Sequence, residues 1–146
     1  MKKLSHLLMR LLKRILLYDP YIFGLCMTPS EDLKNYLEST GLSTGFRVQF
    51  GMYEADKPTD KYLVIRPQNG GNAEVIRYPY HSIILVGEVN SSRFALLSSA
   101  NAIIEAMRSN VHSSGRTFNM QSSEPVFFQT DDMRPVFELS IDMLYS

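Results

Sequence analysis

The sequence contains little cysteine, no long apolar run and no excess of either charge. Its 146 residues include one cysteine, Cys26, which excludes an internal disulfide and a cysteine-rich zinc site and favours a reducing compartment. No uninterrupted apolar stretch is long enough to form a transmembrane helix, so no membrane span is predicted. Fifteen basic residues balance fifteen acidic residues, a composition that gives no support for specific nucleic-acid binding.

An uneven distribution of charge divides the chain into two regions. Residues 1–20 contain five basic residues and one acid, a net charge of +4, which leaves −4 for the remainder. A hydrophobic content of 45% is sufficient for a folded core, and the length favours one domain with or without an appendage. We therefore predict a basic leader, residues 1–26, followed by a domain, residues 27–146.

The leader has the pattern of a basic amphipathic helix. Leucine and isoleucine recur at helical spacing between residues 4 and 15, with lysine and arginine on the opposite side, and Asp19-Pro20 ends the pattern. Such a helix is suited to packing on its own domain, to docking on a partner or neighbouring subunit, or to lying on a membrane surface. A second translation start at Met27 would make it dispensable. The residues do not choose between these roles.

The sequence predicts two helices within the domain. The first begins at Thr28-Pro29-Ser30-Glu31, which has the form of a capping box, and Gly41 is its expected stop. The second begins at one of the N-cap candidates 90–92 and ends at 113–115. The predicted apolar stripes are Leu33, Tyr36 and Leu37 on the first helix, and Phe94, Leu97, Ala100, Ile104 and Met107 on the second.

About five strands are predicted, at residues 46–50, 62–65, 83–86, 126–128 and 137–145. Residues 62–65 lack alternation, which indicates burial on both faces, whereas residues 137–145 alternate strictly. Residues 67–71 and Asp131-Asp132 are predicted to be turns. The expected fold class is α+β, with a mainly antiparallel sheet, two helices packed on one of its faces and the additional N-terminal amphipathic helix.

Candidate chemistry is sparse, and neither an enzyme nor a cofactor is predicted. The histidines His6, His81 and His112 share no metal-ligand spacing, so each is interpreted as a packing or surface residue. Cys26 stands without the surroundings of a catalytic nucleophile. Asp131-Asp132 is more typical of a turn than of a cation site. The residues by themselves therefore predict a globular α+β domain without catalytic function.

Four segments from Thr28 onward follow one another in a familiar order. They are the capped first helix with the strand ending at Phe50, the segment Tyr62-Leu63-Val64-Ile65-Arg66-Pro67 with Asn69-Gly70-Gly71, the segment Tyr78-Pro79-Tyr80 leading into a strand and the second helix, and Pro125-Val126-Phe127-Phe128 followed by an acidic turn and Arg134-Pro135. This order resembles that of the tail terminator, or tail completion, proteins of long-tailed bacteriophages. The resemblance covers about four-fifths of the chain.

The resemblance implies a structural protein of the virion. Members of this family are expected to form a homohexameric ring at the head-proximal end of a finished tail tube, assembled in the host cytoplasm. The ring halts tube polymerisation and presents a surface for joining the head. The implied partners are further copies of the chain, the tail tube protein and the head-completion or connector proteins.

Charged residues, most of them in or next to loops and one, Asp142, in the last predicted strand, are the candidates for the subunit and partner interfaces, because charges at an interface steer docking. Ordinary surface charge is the competing interpretation. Two other functions remain alternatives: a head-completion or connector subunit of similar fold, and a membrane-associated adaptor that uses the leader. The candidate interface residues are Asp56, Lys57, Asp60, Arg66, Arg77, Asp131, Asp132, Arg134 and Asp142.

Overall fold

The fold is given by a computed structural model of the chain, which describes residues 28–71, 78–108, 111–113, 116–120 and 124–145. The predictions for the leader, Cys26, His6 and Arg77 lie outside the described residues. Neither helix among the described residues is long and apolar enough to cross a membrane.

The first helix, α1 (Pro29–Ser39), begins at the predicted capping box. The Thr28 hydroxyl accepts a hydrogen bond from the Glu31 backbone N–H at 3.3 Å, and the Glu31 carboxylate accepts one from the Thr28 backbone N–H at 2.7 Å. Gly41 follows the helix with a φ of +75°, a left-handed conformation that favours glycine at a helix end. The predicted stripe is confirmed, because all its members are buried: Leu33, Tyr36 and Leu37.

Seven strands form one sheet among the described residues. They are β1 (Phe46–Phe50), β2 (Lys61–Gly71), β3 (Tyr78–Val86), β4 (Val111–Ser113), β5 (Arg116–Met120), β6 (Val126–Gln129) and β7 (Pro135–Tyr145), with helix α2 (Arg93–Met107) between β3 and β4. The order is β1-β2-β3-β7-β5-β4, and β6 pairs with β7. β1 and β2 are parallel and every other pair is antiparallel. The predicted α+β class is confirmed.

Both helices pack on one face of the sheet, as predicted. That face carries alternate residues of β2, β3 and β7, all buried: Leu63, Ile65, Ile83, Leu85, Phe137, Leu139, Ile141 and Met143. The alternation predicted for β7 is thereby confirmed, since the intervening residues from Glu138 to Asp142 are only partly buried.

The opposite face of the sheet has a second, smaller apolar cluster. Tyr53, from the loop between β1 and β2, packs against five buried residues there: Tyr62, Val64, Ile84, Val86 and Val136. All four residues from 62 to 65 have 0% exposure, which confirms the prediction that this strand is buried on both faces.

Two predicted boundaries are wrong. Residues 67–71 belong to strand β2 rather than to a turn, and Pro67 pairs with His81 of β3. Because β1 ends opposite Ile65, this part of β2 is paired along one edge only among the described strands, a position in which proline is tolerated. Helix α2 ends at Met107, and the segment predicted as its end contributes the short strand β4.

The stripe predicted for α2 is correct at Ala100, Ile104 and Met107 and wrong at Phe94, which is 69% exposed. Leu97 is only partly buried. At about 100° per residue, Phe94 is rotated roughly 140° from the centre of the buried face. The positions that complete the buried face are Leu96 and Ile103.

Replacing Ile104 with alanine should lower the free energy of unfolding by about 2–5 kcal/mol, because it removes most of a packed side chain that is 7% exposed. Asn101 lies on the exposed side of the same helix, so Asn101→Ala is the matched control and should change stability little. Urea unfolding of the two variants measures the difference. Equal midpoints would contradict the assigned packing face of α2.

Candidate functional site

A buried arginine connects three loops at one end of the sheet. Arg134 is 1% exposed, and its guanidinium donates hydrogen bonds to three backbone carbonyls: Nη1 to Asp60 and to Gly87, each at 3.0 Å, and Nη2 to Lys57 at 2.8 Å. Its Nε donates to the Asp132 carboxylate at 2.9 Å. We call these five residues the Arg134 cluster. It joins the β1–β2 loop, the end of β3 and the β6–β7 turn.

Backbone hydrogen bonds connect the same loops. The Val89 N–H donates to the Pro58 carbonyl at 3.0 Å, and the Gly87 N–H donates to the Pro135 carbonyl at 2.9 Å. A Cβ at Gly87 would lie 2.8 Å from Pro135 Cγ and 3.0 Å from Ser91 Oγ, so this close approach requires glycine. The loops at this end are therefore held in one arrangement by both side-chain and backbone contacts.

Two tyrosines support the cluster from the opposite face of the sheet. The Tyr62 hydroxyl accepts hydrogen bonds from the backbone N–H groups of Asp56 at 2.8 Å and Lys57 at 3.1 Å, and its ring centroid lies 5.6 Å from the Arg134 guanidinium carbon. The rings of Tyr53 and Tyr62 make an edge-to-face contact with a centroid separation of 5.4 Å. Burial raises the pKa of Tyr53. The loop between β1 and β2 is thus ordered by the tyrosine that it covers.

Several candidate interface residues have partners within the chain. Arg134, predicted to pair across subunits, is buried and donates its hydrogen bonds within the chain. Asp132 accepts from Arg134, and Arg47 bridges Asp56 and Asp60 with nitrogen–oxygen distances of 3.0 Å to each. The sequence did not predict these contacts within the chain, which hold the loops in place.

The remaining candidates are distributed over the surface. Lys57 and Asp131 are exposed at the same end as the Arg134 cluster. Arg66 is exposed further along β2, and its Nε donates to the Gly51 carbonyl at 3.2 Å. Asp142 is partly buried on the sheet face opposite the helices. The structure therefore brings Asp56, Lys57, Asp60, Asp131, Asp132 and Arg134 to one end of the sheet and leaves Arg66 and Asp142 apart from them.

An exposed aromatic surface that the sequence did not predict surrounds β6. The Arg93 guanidinium carbon lies 5.4 Å from the centroid of the Phe94 ring and 5.5 Å from that of Phe127, so it joins the first turn of α2 to β6. We call the surface the β6 patch: Arg93, Phe94, Val126, Phe127 and Phe128. Its four apolar side chains are between 41% and 69% exposed. Arginine and aromatic residues are the types enriched at protein interfaces.

A cavity of about 240 Å³ opens beside the first turn of α2, between Lys61 and a group of serines. Lys61 Nζ lies 5.2 Å from the centroid of the Phe46 ring, so the ring is the ammonium group's immediate neighbour. Within the described part of the chain, no group of three or more histidine, cysteine or acidic residues could hold a metal ion. The features that stand out are therefore contact surfaces.

Comparison with known protein families decides the identity of the domain. A family model described as phage tail termination protein matches residues 27–146. The chain belongs to this family. No curated protein matches it. The resemblance found in the sequence is thus confirmed, and the protein is a structural component of a bacteriophage tail that interacts with other tail components.

Membership in a tail family changes the interpretation of the surface. A monomeric protein rarely leaves aromatic side chains exposed together without a contact to make. In this tail protein, the Arg134 cluster provides a fixed end of the sheet, and the β6 patch provides apolar contact area beside it. The one sequence feature that pointed to exposure of Phe94 was Ser92. With Ser92 as the N-cap, Phe94 lies in the first turn of α2.

Replacing Arg134 with alanine should lower the free energy of unfolding by about 3–5 kcal/mol, because three carbonyl oxygens then lose their donor in a buried site. Arg134→Lys should not restore stability, since an ammonium group does not reproduce the planar fork of the guanidinium. Urea unfolding measures both. A wild-type midpoint for Arg134→Lys would contradict the proposed role of guanidinium geometry.

Asp132→Asn is the matched comparison, because the Asp132 side chain is 52% exposed and its replacement should cost less stability at neutral pH than the loss of Arg134. Hydrogen bonds from the Thr130 hydroxyl and then from Arg134 hold the pKa of Asp132 below its ordinary value. A carboxyl group of this kind stabilises the fold above its unfolded pKa, and the contribution is lost as pH falls through the folded pKa. Asp132→Asn should therefore lose less stability than wild type in acid.

Proposed function

We propose that the protein forms a ring on the head-proximal end of the tail tube, stops tube polymerisation and offers a surface for joining the head. The carrying observation is the family match over residues 27–146, which includes every residue that the structure describes. This function predicts the virion tail as the final location, after assembly in the host cytoplasm. The proposed partners are further copies of the chain, the tube protein and the head-completion proteins.

A protein with this function must bind the end of the tube and must not itself present a surface to which further tube protein can add. The Arg134 cluster supports such a role, because it fixes the loops at one end of the sheet before any partner binds. Binding at these loops therefore costs little conformational entropy. Exposed charges surround it at Asp56, Lys57 and Asp131. We propose that these charges steer docking of a tail component, and that Arg66 and Asp142 contribute on the adjacent sheet face.

Polymerisation of purified tube protein in the presence of this protein tests the proposal. We expect shorter tubes with increasing amounts of the protein, and labelled protein at one end of each tube, both seen by electron microscopy. Unchanged tube lengths without end labelling would overturn the proposal. Binding to head-side connector proteins in that case would favour the alternative of a head-completion subunit.

We also propose that residues 1–26 form a leader separable from a domain of residues 27–146. The family match starts at residue 27, and residues of the described elements make up a core cluster of their own. A chain that starts at Met27 should therefore melt cooperatively at nearly the wild-type temperature, with weaker assembly, since the leader's apolar stripe needs a surface to cover it. An insoluble or unfolded truncated chain would show that the leader belongs to the core.

Liposome flotation of the full chain and of the chain that starts at Met27 tests the alternative of a membrane-associated adaptor. If the full chain floats with anionic vesicles and the truncated chain does not, the leader binds membranes. Equal behaviour of the two would remove the membrane-adaptor alternative.

A further inference from the structure

We infer that neighbouring copies in the ring meet with the β6 patch of one copy against the β1 margin of the next. We define the β1 margin as Phe50 and Met52. The inference rests on the proposed ring and adds which surfaces form its repeated contact. A ring made of identical head-to-tail contacts needs two different surfaces on each copy, one on each side.

Exposed apolar residues in the described part of the chain are concentrated at the two sides of the sheet. Seven large hydrophobic side chains are exposed there. Phe50 and Met52, at 47% and 74% exposure, lie at the end of β1, the outermost strand on one side. The other five lie on β6, next to it in α2, or in the turn that follows it: Phe94, Val126, Phe127, Phe128 and Met133.

The two surfaces lie at nearly the same height along the strands. Phe127 pairs with Phe137, and the same cross-strand row continues through Leu85 and Leu63 to Val48 of β1. Phe50 is one same-face step beyond Val48, a displacement of about 7 Å along the strand. Phe127 lies on the helix-covered face, as do Phe46 and Val48, whose face Phe50 shares by strand alternation. Copies placed side by side would therefore bring the surfaces together.

The strand edges at these positions are available for a side-by-side contact. Among the described strands, β1 pairs only with β2, and β6 pairs only with β7. The four residues of β6, Val126–Gln129, include no charge and no proline, the devices that usually protect an edge strand. When the strand pairings are followed across the sheet, β6 runs antiparallel to β1. In side-by-side copies, β6 of one copy would therefore lie antiparallel to β1 of the next.

Both surfaces are apolar on the helix-covered face. Arg93 has no carboxylate at ion-pair distance among the described residues, and its guanidinium lies over the rings of Phe94 and Phe127. Glu54 lies at the opposite face, because its backbone is held by the side-chain amide of Gln49, which donates to its carbonyl at 2.8 Å and accepts from its N–H at 3.1 Å. A second copy of the chain therefore supplies an apolar surface to each side without an opposing charge.

Polar substitution of each surface tests the inference directly. Phe94→Ser in the β6 patch and Phe50→Ser in the β1 margin should each raise the concentration at half assembly by about tenfold or more, because each removes apolar area that the contact would bury. Assembly is measured by light scattering, alone and on tail tubes. Arg108→Ser, at the far end of α2, is the control and should assemble normally.

Directed disulfides provide a second measurement, in a Cys26→Ser background. The double variant Val48→Cys with Phe127→Cys, two positions of the same cross-strand row, should give, on oxidation, a ladder of covalent oligomers extending past the dimer. Each single variant should give no ladder. Thermal melting of every variant confirms that the fold is retained.

The outcomes separate the inference from the proposed function. If wild-type protein forms rings and shortens tubes while the Phe94 and Phe50 variants also assemble normally, the assigned contact is wrong and the function stands. If Phe94→Ser assembles normally but no longer binds tubes, the β6 patch contacts the tube protein, which also overturns the inference. If wild-type protein neither assembles nor shortens tubes, the proposed function fails, and with it the ring contact.

Discussion

The enclosed guanidinium of Arg134 is the constraint on which one whole end of the molecule depends. Three peptide carbonyls from separate loops converge on it, and no other side-chain type supplies donors in that planar arrangement while keeping its charge. The charge is compensated by Asp132 at the surface and by the carbonyl dipoles inside. A hydrophobic residue of similar volume would fill the space but leave the carbonyls without donors. The loops that surround Arg134 are therefore as well ordered as the strands they connect.

The order of the loops around Arg134 and the exposure of apolar side chains at the two sides of the sheet have different physical origins. The helices cover the residues at the centre of the sheet, and they leave the margins of β1 and β6 outside their reach. Apolar residues at those margins contribute little to folding of a single copy, because they stay in contact with water. Their hydrophobic free energy is available to association instead, in an amount that depends on how completely a partner covers them.

Local signals predicted the parts of the fold that local interactions determine. The capping box at Thr28 and Glu31, the buried run from 62 to 65 and the alternation of β7 all follow from spacing along the chain. The position of Arg134 does not, because its acceptors are at residues 57, 60 and 87, and nothing near it in the sequence indicates burial. β4 and β5 escaped prediction because they are short, and β5 pairs with the distant strand β7.

The candidate site was predictable only in part for the same reason. Most of the charged residues named from the sequence come together at one end of the sheet, but their pairings within the chain depend on contacts between distant segments. The β6 patch required knowing the exact rotation of α2, since a shift of one or two positions in its stripe moves Phe94 from the core to the surface. Patterns of hydrophobicity distinguish faces of a helix well at its centre and poorly in its first turn.

The position of β7 determines when this fold becomes complete. Every other described strand precedes β7 in the sequence, yet β7 lies between β3 on one side and β5 and β6 on the other. During synthesis, β1, β2 and β3 leave the ribosome without the neighbour that covers the open edge of β3, and Arg134 arrives with β7. The early strands must wait for pairing partners that are distant in sequence, which slows folding relative to local contacts. A chain that ends before β7 therefore leaves the edge of β3 open and lacks the guanidinium that joins the loops at residues 57, 60 and 87.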